Sequence, residues 1–214
     1  PDIINNSWGL YPGAVDFDPC NDILYDAIDA AEAAGIAVLF SAGNTGPTSG
    51  SVTPPGARDD AALKSMAVGA TQGTTEITVP DYSGRGPSPC GGGVKPELVA
   101  PGNVPQVVAN SASSARLTGF TVTGTSFSSA MTAGALALVF QARPGADPEE
   151  AKRILLDTAT DLAPNGPDND SGNGLLDVPA ALQRASASFA GGLLQVALDR
   201  RTADSLYVVI RNRG

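Results

Sequence analysis

The sequence predicts an α/β protein with a mainly parallel sheet and flanking helices, and two observations support this class. Apolar runs that suit strands occur at 2–7, 36–44 and 64–71, and helical patterns occur at 20–35 and 126–142. Short apolar runs bounded by turn residues are typical of strands buried on both faces of a parallel sheet. Alternation of such strands with helices indicates helices packed against that sheet.

The first 44 residues predict a strand, a helix and a second strand. The helix at 20–35 has apolar residues at helical spacing, Asn21 or Asp22 as its N-cap, and Gly35 beyond its last turn. The apolar run at 36–44 then ends in small residues. This order is that of one βαβ unit.

The rest of the chain continues the alternation. Strands are expected at 64–71 and 97–100, and a hairpin is expected from 104–110 and 119–124. Three helices are expected at 126–142, 147–160 and 177–185. The first of these is almost entirely small or apolar, which predicts a helix buried on all sides. The segment 191–214 alternates around a polar turn and predicts a β-hairpin.

Composition excludes several classes of partner. The chain has 13 basic and 22 acidic residues, a net charge of −9, which argues against nucleic acid or an anionic membrane surface as a partner. No apolar run approaches the length of about 20 residues that spans a membrane as a helix. The only two cysteines, Cys20 and Cys90, can pair in an oxidising compartment or can both be free.

Three polar loops are expected to meet at one edge of the sheet, at 6–9, 41–44 and 124–126. Ser126 precedes a helical run, so it is either an N-cap or a nucleophile whose own N–H can stabilise an oxyanion. Asn44 ends a buried strand as either a turn residue or a donor to that oxyanion. Trp8 either packs on the core or flanks a groove for an extended peptide.

Several motifs occur in an order that resembles one known family. They are INNSWG, AVLFSAGNTGP, MAVGAT, YSGRGPS with KPELVAPG, GTSFSSAMTAG, PGADPEEAKRILLDTA and GNGLLDV. In this order they resemble the subtilases, the subtilisin-like serine peptidases, over roughly residues 2–185. The resemblance implies a partial subtilisin-like fold at 1–187. The hairpin at 188–214 either ends that domain or begins another module.

The resemblance also implies roles for single residues. Ser126 matches the nucleophile and Asn44 matches the amide of the oxyanion hole. The strand that pairs with the substrate backbone corresponds to Ser7, Trp8 and Gly9. The opposite wall of the pocket for the residue before the scissile bond corresponds to Ser41, Ala42 and Gly43. The implied reaction is hydrolysis of a polypeptide through an acyl-enzyme, outside the cell, with no cofactor and no catalytic metal.

The sequence departs from the family at two places. Ala130 and Met131 stand where the family's serine motif usually continues with proline and then often histidine. The family's Asp and His motifs precede the strand that 2–7 resembles, and this chain contains no histidine. We therefore expect a truncated fragment that is inactive by itself, and whose exposed strand at 2–7 pairs with another chain or with a second copy.

The sequence leaves three other interpretations open. The parent protein is a pseudoprotease if it lacks the base. A nucleotide-binding loop at 43–51 is disfavoured because the lysine of a Walker-type loop is missing there. The acidic segment 168–174 is either a site for structural calcium or a solvated turn.

Overall fold

A four-stranded parallel sheet forms the centre of the fold and confirms the predicted class. The computed structural model describes residues 2–11, 18, 20, 23–111, 114–162, 164–187, 196–202 and 205–210. The strands are β1 (Ile3–Asn6), β2 (Ala37–Ser41), β3 (Met66–Thr71) and β4 (Leu98–Pro101), and their order in the sheet follows the chain. The register places Ile3 beside Ala37, Leu39 beside Met66, and Val68 beside Leu98.

Four helices and two antiparallel strand pairs complete the described structure. The helices are α1 (Ile23–Ala33), α2 (Thr125–Ala142), α3 (Pro148–Asp157) and α4 (Val178–Ala187). The antiparallel pairs are β5 (Asn103–Ser111) with β6 (Ser114–Thr123), and β7 (Val196–Thr202) with β8 (Ser205–Ile210). The predicted domain boundary at 187/188 stays a prediction, and 188–195 lies outside the described residues. None of the described helices is long and apolar enough to cross a membrane.

Alternate side chains of β2 build two separate parts of the core. Val38 and Phe40 pack on Tyr25 and Ile28 of α1 on one face of the sheet. Ala37 and Leu39 point to the other face, where the buried residues of α2, α3 and α4 pack. This alternation follows from the two-residue period of a strand, and it explains why β2 has to be apolar throughout.

Helix α3 begins as the sequence predicts, with Asp147 as the N-cap. The carboxylate of Asp147 accepts a hydrogen bond from the backbone N–H of Glu150 at 2.7 Å, and Pro148 occupies the first turn. The predicted caps of α1, Asn21 and Asp22, lie outside the described residues.

The expectation that α2 is buried on all sides is wrong. One side of the helix packs into the core through residues such as Leu136 and Val139. The other side is exposed, with Met131 at 46% and Leu138 at 42% of their full accessibility. A helix without a polar face has no pattern that indicates which side meets solvent, so the exposed side of α2 could not be predicted from its sequence.

Two covalent or ionic links join elements that are distant in sequence. Cys20 and Cys90 form a disulfide with Cα atoms 5.1 Å apart, which settles the alternative left open by the sequence. Lys152 of α3 donates from Nζ to Glu32 of α1 at 2.6 Å and to the carbonyl of Leu63 at 2.6 Å. The same Glu32 carboxylate accepts the backbone N–H of Val38 at 2.7 Å, so this ion pair fixes both helices to β2.

Candidate active site

The end of β1 and the beginning of α2 are held together by a reciprocal pair of hydrogen bonds. Ser126 donates from Oγ to the carbonyl oxygen of Ser7 at 3.2 Å. Ser7 in turn donates from its Oγ to the carbonyl oxygen of Ser126 at 2.9 Å. Two of the three loops expected to converge are therefore in direct contact through residues that are 119 positions apart.

Ser126 is not the N-cap of α2, so that interpretation of the residue is wrong. The N-cap position belongs to Gly124, which offers no side chain for capping, and the helix begins at Thr125. Ser126 therefore lies inside the first turn, half-buried, and its hydroxyl points to β1 rather than to the N–H groups of its own helix. A hydroxyl in this place is free of any capping role.

Asn44 connects the third loop to the same helix. Its Oδ1 accepts the backbone N–H of Thr125 at 3.0 Å and the Thr125 hydroxyl at 2.9 Å. Because a backbone N–H can only donate, the oxygen of the amide must face Thr125, and Nδ2 must point away from it. Nδ2 has no hydrogen-bond partner within the described ranges, so it is available to a bound group.

Two free donors border one small space beside Ser126. A Cβ placed on Gly124 would lie 3.4 Å from Nδ2 of Asn44 and 3.9 Å from the backbone nitrogen of Ser126. The N–H of Ser126 has no acceptor in the part of the chain that is described, and it belongs to the first turn of a helix, where negative charge is stabilised. The space that Gly124 leaves open is therefore suited to an oxyanion.

Trp8 packs on the core, and its role beside a groove for an extended peptide stays a prediction. Its ring packs edge-to-face on Phe40, with centroids 5.5 Å apart at 89°, and its indole N–H donates to Oδ1 of Asn6 at 3.2 Å. It nevertheless remains 45% exposed. The backbone groups of Trp8 and Gly9 make no hydrogen bond to other described residues, which leaves them free to pair with an extended chain.

The segment Ser41, Ala42 and Gly43 forms a buried wall that is supported from behind. The N–H of Ala42 donates to the carbonyl of Val68 at 2.9 Å, and the carbonyl of Gly43 accepts the N–H of Gly84 at 3.0 Å. Ala42 is completely inaccessible to solvent. These hydrogen bonds make the wall a rigid continuation of the sheet.

A chain of polar side chains behind Ser126 was not predicted from the sequence. Ser129 donates to Oδ1 of Asn5 at 2.6 Å, and Nδ2 of Asn5 donates to Oγ of Ser7 at 3.0 Å. The Ser7 hydroxyl then bonds to the carbonyl of Ser126, so the chain of bonds ends at the candidate nucleophile. The polar Asn5 in β1, and Ser129 one helical turn after Ser126, were signals that could have revealed it.

Among the described residues, no group is placed to take the proton of Ser126. The sequence has no histidine, and the acceptor of the Ser126 hydroxyl is a backbone carbonyl. Tyr82 lies behind the Gly124 loop and donates to the carbonyl of Gly102 at 3.4 Å. Burial raises the pKa of the Tyr82 phenol, so it stays neutral and offers no base at neutral pH.

In the acidic segment at 168–174, the carboxylate of Asp168 accepts hydrogen bonds from other residues of the same segment. Oδ1 of Asp168 accepts the N–H groups of Asp170 and Ser171 at 2.6 and 2.8 Å, and Oδ2 accepts the Ser171 hydroxyl at 3.0 Å. Within the described ranges no three His, Cys, Asp or Glu side chains are grouped so as to hold a metal ion. A structural calcium at this segment stays a prediction.

The model of the Subtilase family matches residues 1–174. The chain belongs to the subtilase family. Serine protease AprX from Bacillus subtilis (strain 168) is 34% identical over 148 residues, which is 63% of this subtilase and 32% of AprX. Bacillopeptidase F from the same strain is 33% identical over 187 residues, which is 83% of this chain and 12% of that protein. The chain thus spans a third or less of the length of each of these two relatives.

Solved structures agree with this family and with the partial subtilisin-like fold. The S41 Psychrophilic Protease superposes with a TM-score of 0.65 at 26% identity, covering 82% of this subtilase and 57% of that chain. Sphericase superposes with a TM-score of 0.64 at 24% identity, covering 82% of this subtilase and 56% of that chain. The fold class is therefore confirmed.

Proposed function

We propose that this chain is part of the catalytic domain of a serine endopeptidase, with Ser126 as its nucleophile. The observation that carries the proposal is that two donors without a partner among the described residues, the N–H of Ser126 and Nδ2 of Asn44, border the same space beside Gly124. In the reaction, Oγ of Ser126 adds to the carbonyl carbon of the scissile peptide and loses its proton to a base. The C–N bond then breaks, the amine leaves with a proton, and water hydrolyses the acyl-enzyme ester.

The two walls of the cleft would bind an extended polypeptide. Ser7, Trp8 and Gly9 would pair with the substrate backbone, since the backbone groups of Trp8 and Gly9 are unused within the described structure. Ser41, Ala42 and Gly43 would form the opposite wall of the pocket for the residue before the scissile bond. A rigid wall and an unpaired strand are the usual parts of recognition by β-strand addition.

We propose that these 214 residues do not turn over peptides by themselves. A serine hydroxyl without a base is a poor nucleophile at neutral pH, and the chain has no histidine. In subtilisin, a member of the family, loss of the catalytic histidine costs about 10⁶-fold in kcat. The full-length gene product would need a base from outside these residues.

The alternative is a pseudoprotease that binds extended peptides without cleaving them. It is favoured by the same missing base, and it would use the same free backbone groups of Trp8 and Gly9. The paired donors around Gly124 favour the peptidase, because a surface that only holds peptides has no need of an oxyanion site.

Hydrolysis of a fluorogenic peptide library tests both proposals. It is measured for the full-length gene product and for the chain of 214 residues. We expect cleavage by the full-length protein, loss of cleavage in Ser126→Ala, and no cleavage by the shorter chain. Peptide binding by a full-length protein that cleaves nothing would favour the pseudoprotease. Cleavage by the short chain that is abolished in Ser126→Ala would contradict the proposed inactivity.

We also propose that the protein works outside the cell or in another oxidising compartment. The disulfide between Cys20 and Cys90 supports this, since such bonds persist in oxidising environments and are rare in the reducing cytosol. Fractionation of cells that express the full-length gene product, followed by thiol labelling, tests it. An intracellular protein with both thiols free would contradict it.

A further inference from the structure

Three side chains connect α2 to β1 through one chain of hydrogen bonds that ends at Ser126. Ser129 donates to Oδ1 of Asn5 at 2.6 Å. Nδ2 of Asn5 donates to Oγ of Ser7 at 3.0 Å, and this Oγ donates to the carbonyl of Ser126 at 2.9 Å. A carbonyl can only accept, so the single proton of the Ser7 hydroxyl is used there. The amide of Asn5 therefore has to present Nδ2 to Ser7 and Oδ1 to Ser129.

Asn5 lies on a face of β1 where packing alone would favour an apolar side chain. It is beside Leu39 in the register with β2, and Ile3 lies on the same face of β1. Both Leu39 and Ile3 pack in the part of the core that α2 covers. The partner of Asn5, Ser129, is completely buried. The pair thus replaces apolar packing by a hydrogen bond of defined direction.

The link between Ser7 and Ser126 loses one of its two hydrogen bonds in the proposed reaction. Oγ of Ser126 donates to the carbonyl of Ser7 at 3.2 Å, whereas a strong bond between two oxygens is about 2.7–2.8 Å long. The hydroxyl has to leave this carbonyl when its proton passes to a base. The bond from Oγ of Ser7 to the carbonyl of Ser126 then remains, and its donor is oriented by Asn5, which Ser129 holds in turn.

We propose that Asn5 and Ser129 are positioning residues that hold the backbone of Ser126 against β1 while its hydroxyl reacts. The proposal rests on the peptidase function given above, and both residues act through the hydroxyl of Ser7. A shift of this backbone would displace the nucleophile together with the N–H that borders the space beside Gly124. A displacement of about 1 Å can cost about 10²-fold in rate, so the chain of bonds affects kcat.

Asn5→Asp tests the proposal because it changes the direction of the bonds without changing the shape of the side chain. The new carboxylate can accept from Ser129 but cannot donate to Ser7, so it draws the Ser7 proton away from the carbonyl of Ser126. We expect kcat of the full-length gene product to fall by about tenfold to a hundredfold with KM unchanged. Ser129→Ala leaves the amide of Asn5 free to rotate and should lower kcat in the same way by a smaller factor.

Ser128→Ala is the matched control in the same helix. Ser128 is as buried as Ser129, but it donates to the carbonyl of Ala100 at 2.9 Å and is not part of the chain of bonds. Its replacement should lower the urea midpoint as that of Ser129 does, and should leave kcat unchanged. An unchanged kcat in Asn5→Asp, or an equal fall of kcat in Ser128→Ala, would overturn the proposal.

Crystal structures of variants without the Ser126 hydroxyl separate this proposal from the proposed hydrolysis. Ser126→Ala removes the bond to the carbonyl of Ser7 and so imitates the released nucleophile. In the full-length gene product, we expect Oγ of Ser7 to stay within hydrogen-bond distance of the carbonyl at position 126 in Ser126→Ala. We expect this contact to be lost in Ser126→Ala with Asn5→Asp.

The two proposals can fail separately. A native protein that cleaves no peptide but whose variants show this difference would refute the peptidase and keep the positioning role. A protein that cleaves peptides but whose two variants keep the same contact would refute the positioning role alone.

Discussion

Asn44 depends on Thr125 for the direction of its side chain. The amide oxygen accepts from both the N–H and the hydroxyl of Thr125, at 3.0 and 2.9 Å, and this places Nδ2 toward the space beside Gly124. Thr125 is buried and its N–H and hydroxyl both donate to Asn44, so we assign it as a positioning residue rather than a catalytic one. A donor that is fixed before the reaction stabilises the oxyanion better than a mobile one.

Thr125→Val should therefore reduce kcat of the full-length gene product by roughly twofold to tenfold, with KM unchanged. This factor corresponds to the net free energy of one neutral hydrogen bond. Thr125→Ser keeps the hydroxyl and should restore kcat. Asn44→Ala removes the donor itself, and in subtilisin the loss of one oxyanion donor costs about 10²–10³-fold, an order we expect here too. An increase in KM with unchanged kcat in Thr125→Val would argue for a purely structural role.

Helices α1 and α3 are joined through a buried ion pair. Lys152 is fully buried and the side chain of Glu32 is only 7% exposed. Burial raises the pKa of Glu32 and lowers that of Lys152, although each partner opposes the effect on the other. A buried pair of this kind adds little stability compared with apolar side chains, but removal of one partner leaves an uncompensated charge.

Lys152→Met should lower the free energy of unfolding by about 3–5 kcal/mol, measured by urea denaturation. In this variant the pKa of Glu32 is higher in the folded than in the unfolded protein, so the folded state binds a proton more tightly. Stability should then fall as the pH rises from about 4 through the folded-state pKa, and acid should recover part of the loss.

The double variant Lys152→Met with Glu32→Gln is the control for this pair. Glutamine can still accept the N–H of Val38 without a charge, so most of the stability should return and the pH dependence should disappear. A single variant as stable as the native chain at pH 7 would contradict the argument.

At the scale of the whole molecule, the sheet ends at β1, and the buried side of α2 packs against this strand. β1 has only one neighbour among the described strands, and Ser129 of α2 bonds to Asn5 of β1 at 2.6 Å. An edge strand, together with the exposed Met131 and Leu138 on the helix that packs against it, makes a surface prone to association. We propose that the chain of 214 residues associates through this surface.

Sedimentation velocity over a range of concentrations should show association of the native chain. Met131→Lys with Leu138→Lys should shift it toward the monomer, because charge on this surface opposes burial. Thr48→Lys is the control. It adds a charge in the exposed loop at 44–60 and should not change the degree of association. A native chain that remains monomeric at high concentration would rule out the proposal.

The disulfide between Cys20 and Cys90 closes a long segment of the chain. The cysteines are 70 residues apart, so the bond should contribute about 2–4 kcal/mol by restricting the unfolded chain. Cys20→Ser with Cys90→Ser should lower the urea midpoint accordingly, and dithiothreitol should do the same to the native chain but not to the variant. Equal midpoints in all three cases would contradict this.

The parallel sheet and its helices could be predicted from the sequence, because the spacing of apolar residues and the positions of turn residues are local signals. Ser126 and Asn44 could be picked out since each follows a recognisable strand or precedes a helix. The orientation of Asn44 by Thr125 could not, because it depends on two side chains that are 81 residues apart in the sequence. The pairing of Cys20 with Cys90 could not be predicted either, since the sequence does not tell how far apart the two cysteines lie in the folded chain.

The disulfide also spans the loop at 44–60, which lies between its two cysteines and is exposed over much of its first half. A single cut in this loop would divide the chain into two polypeptides that remain covalently joined. β2 would still pair with β3 across the cut, because their contact is made by the sheet and not by the loop. Such nicked molecules would run as one band on a non-reducing gel and as two after reduction. A preparation judged only under reducing conditions would therefore be counted as degraded while its sheet remained whole.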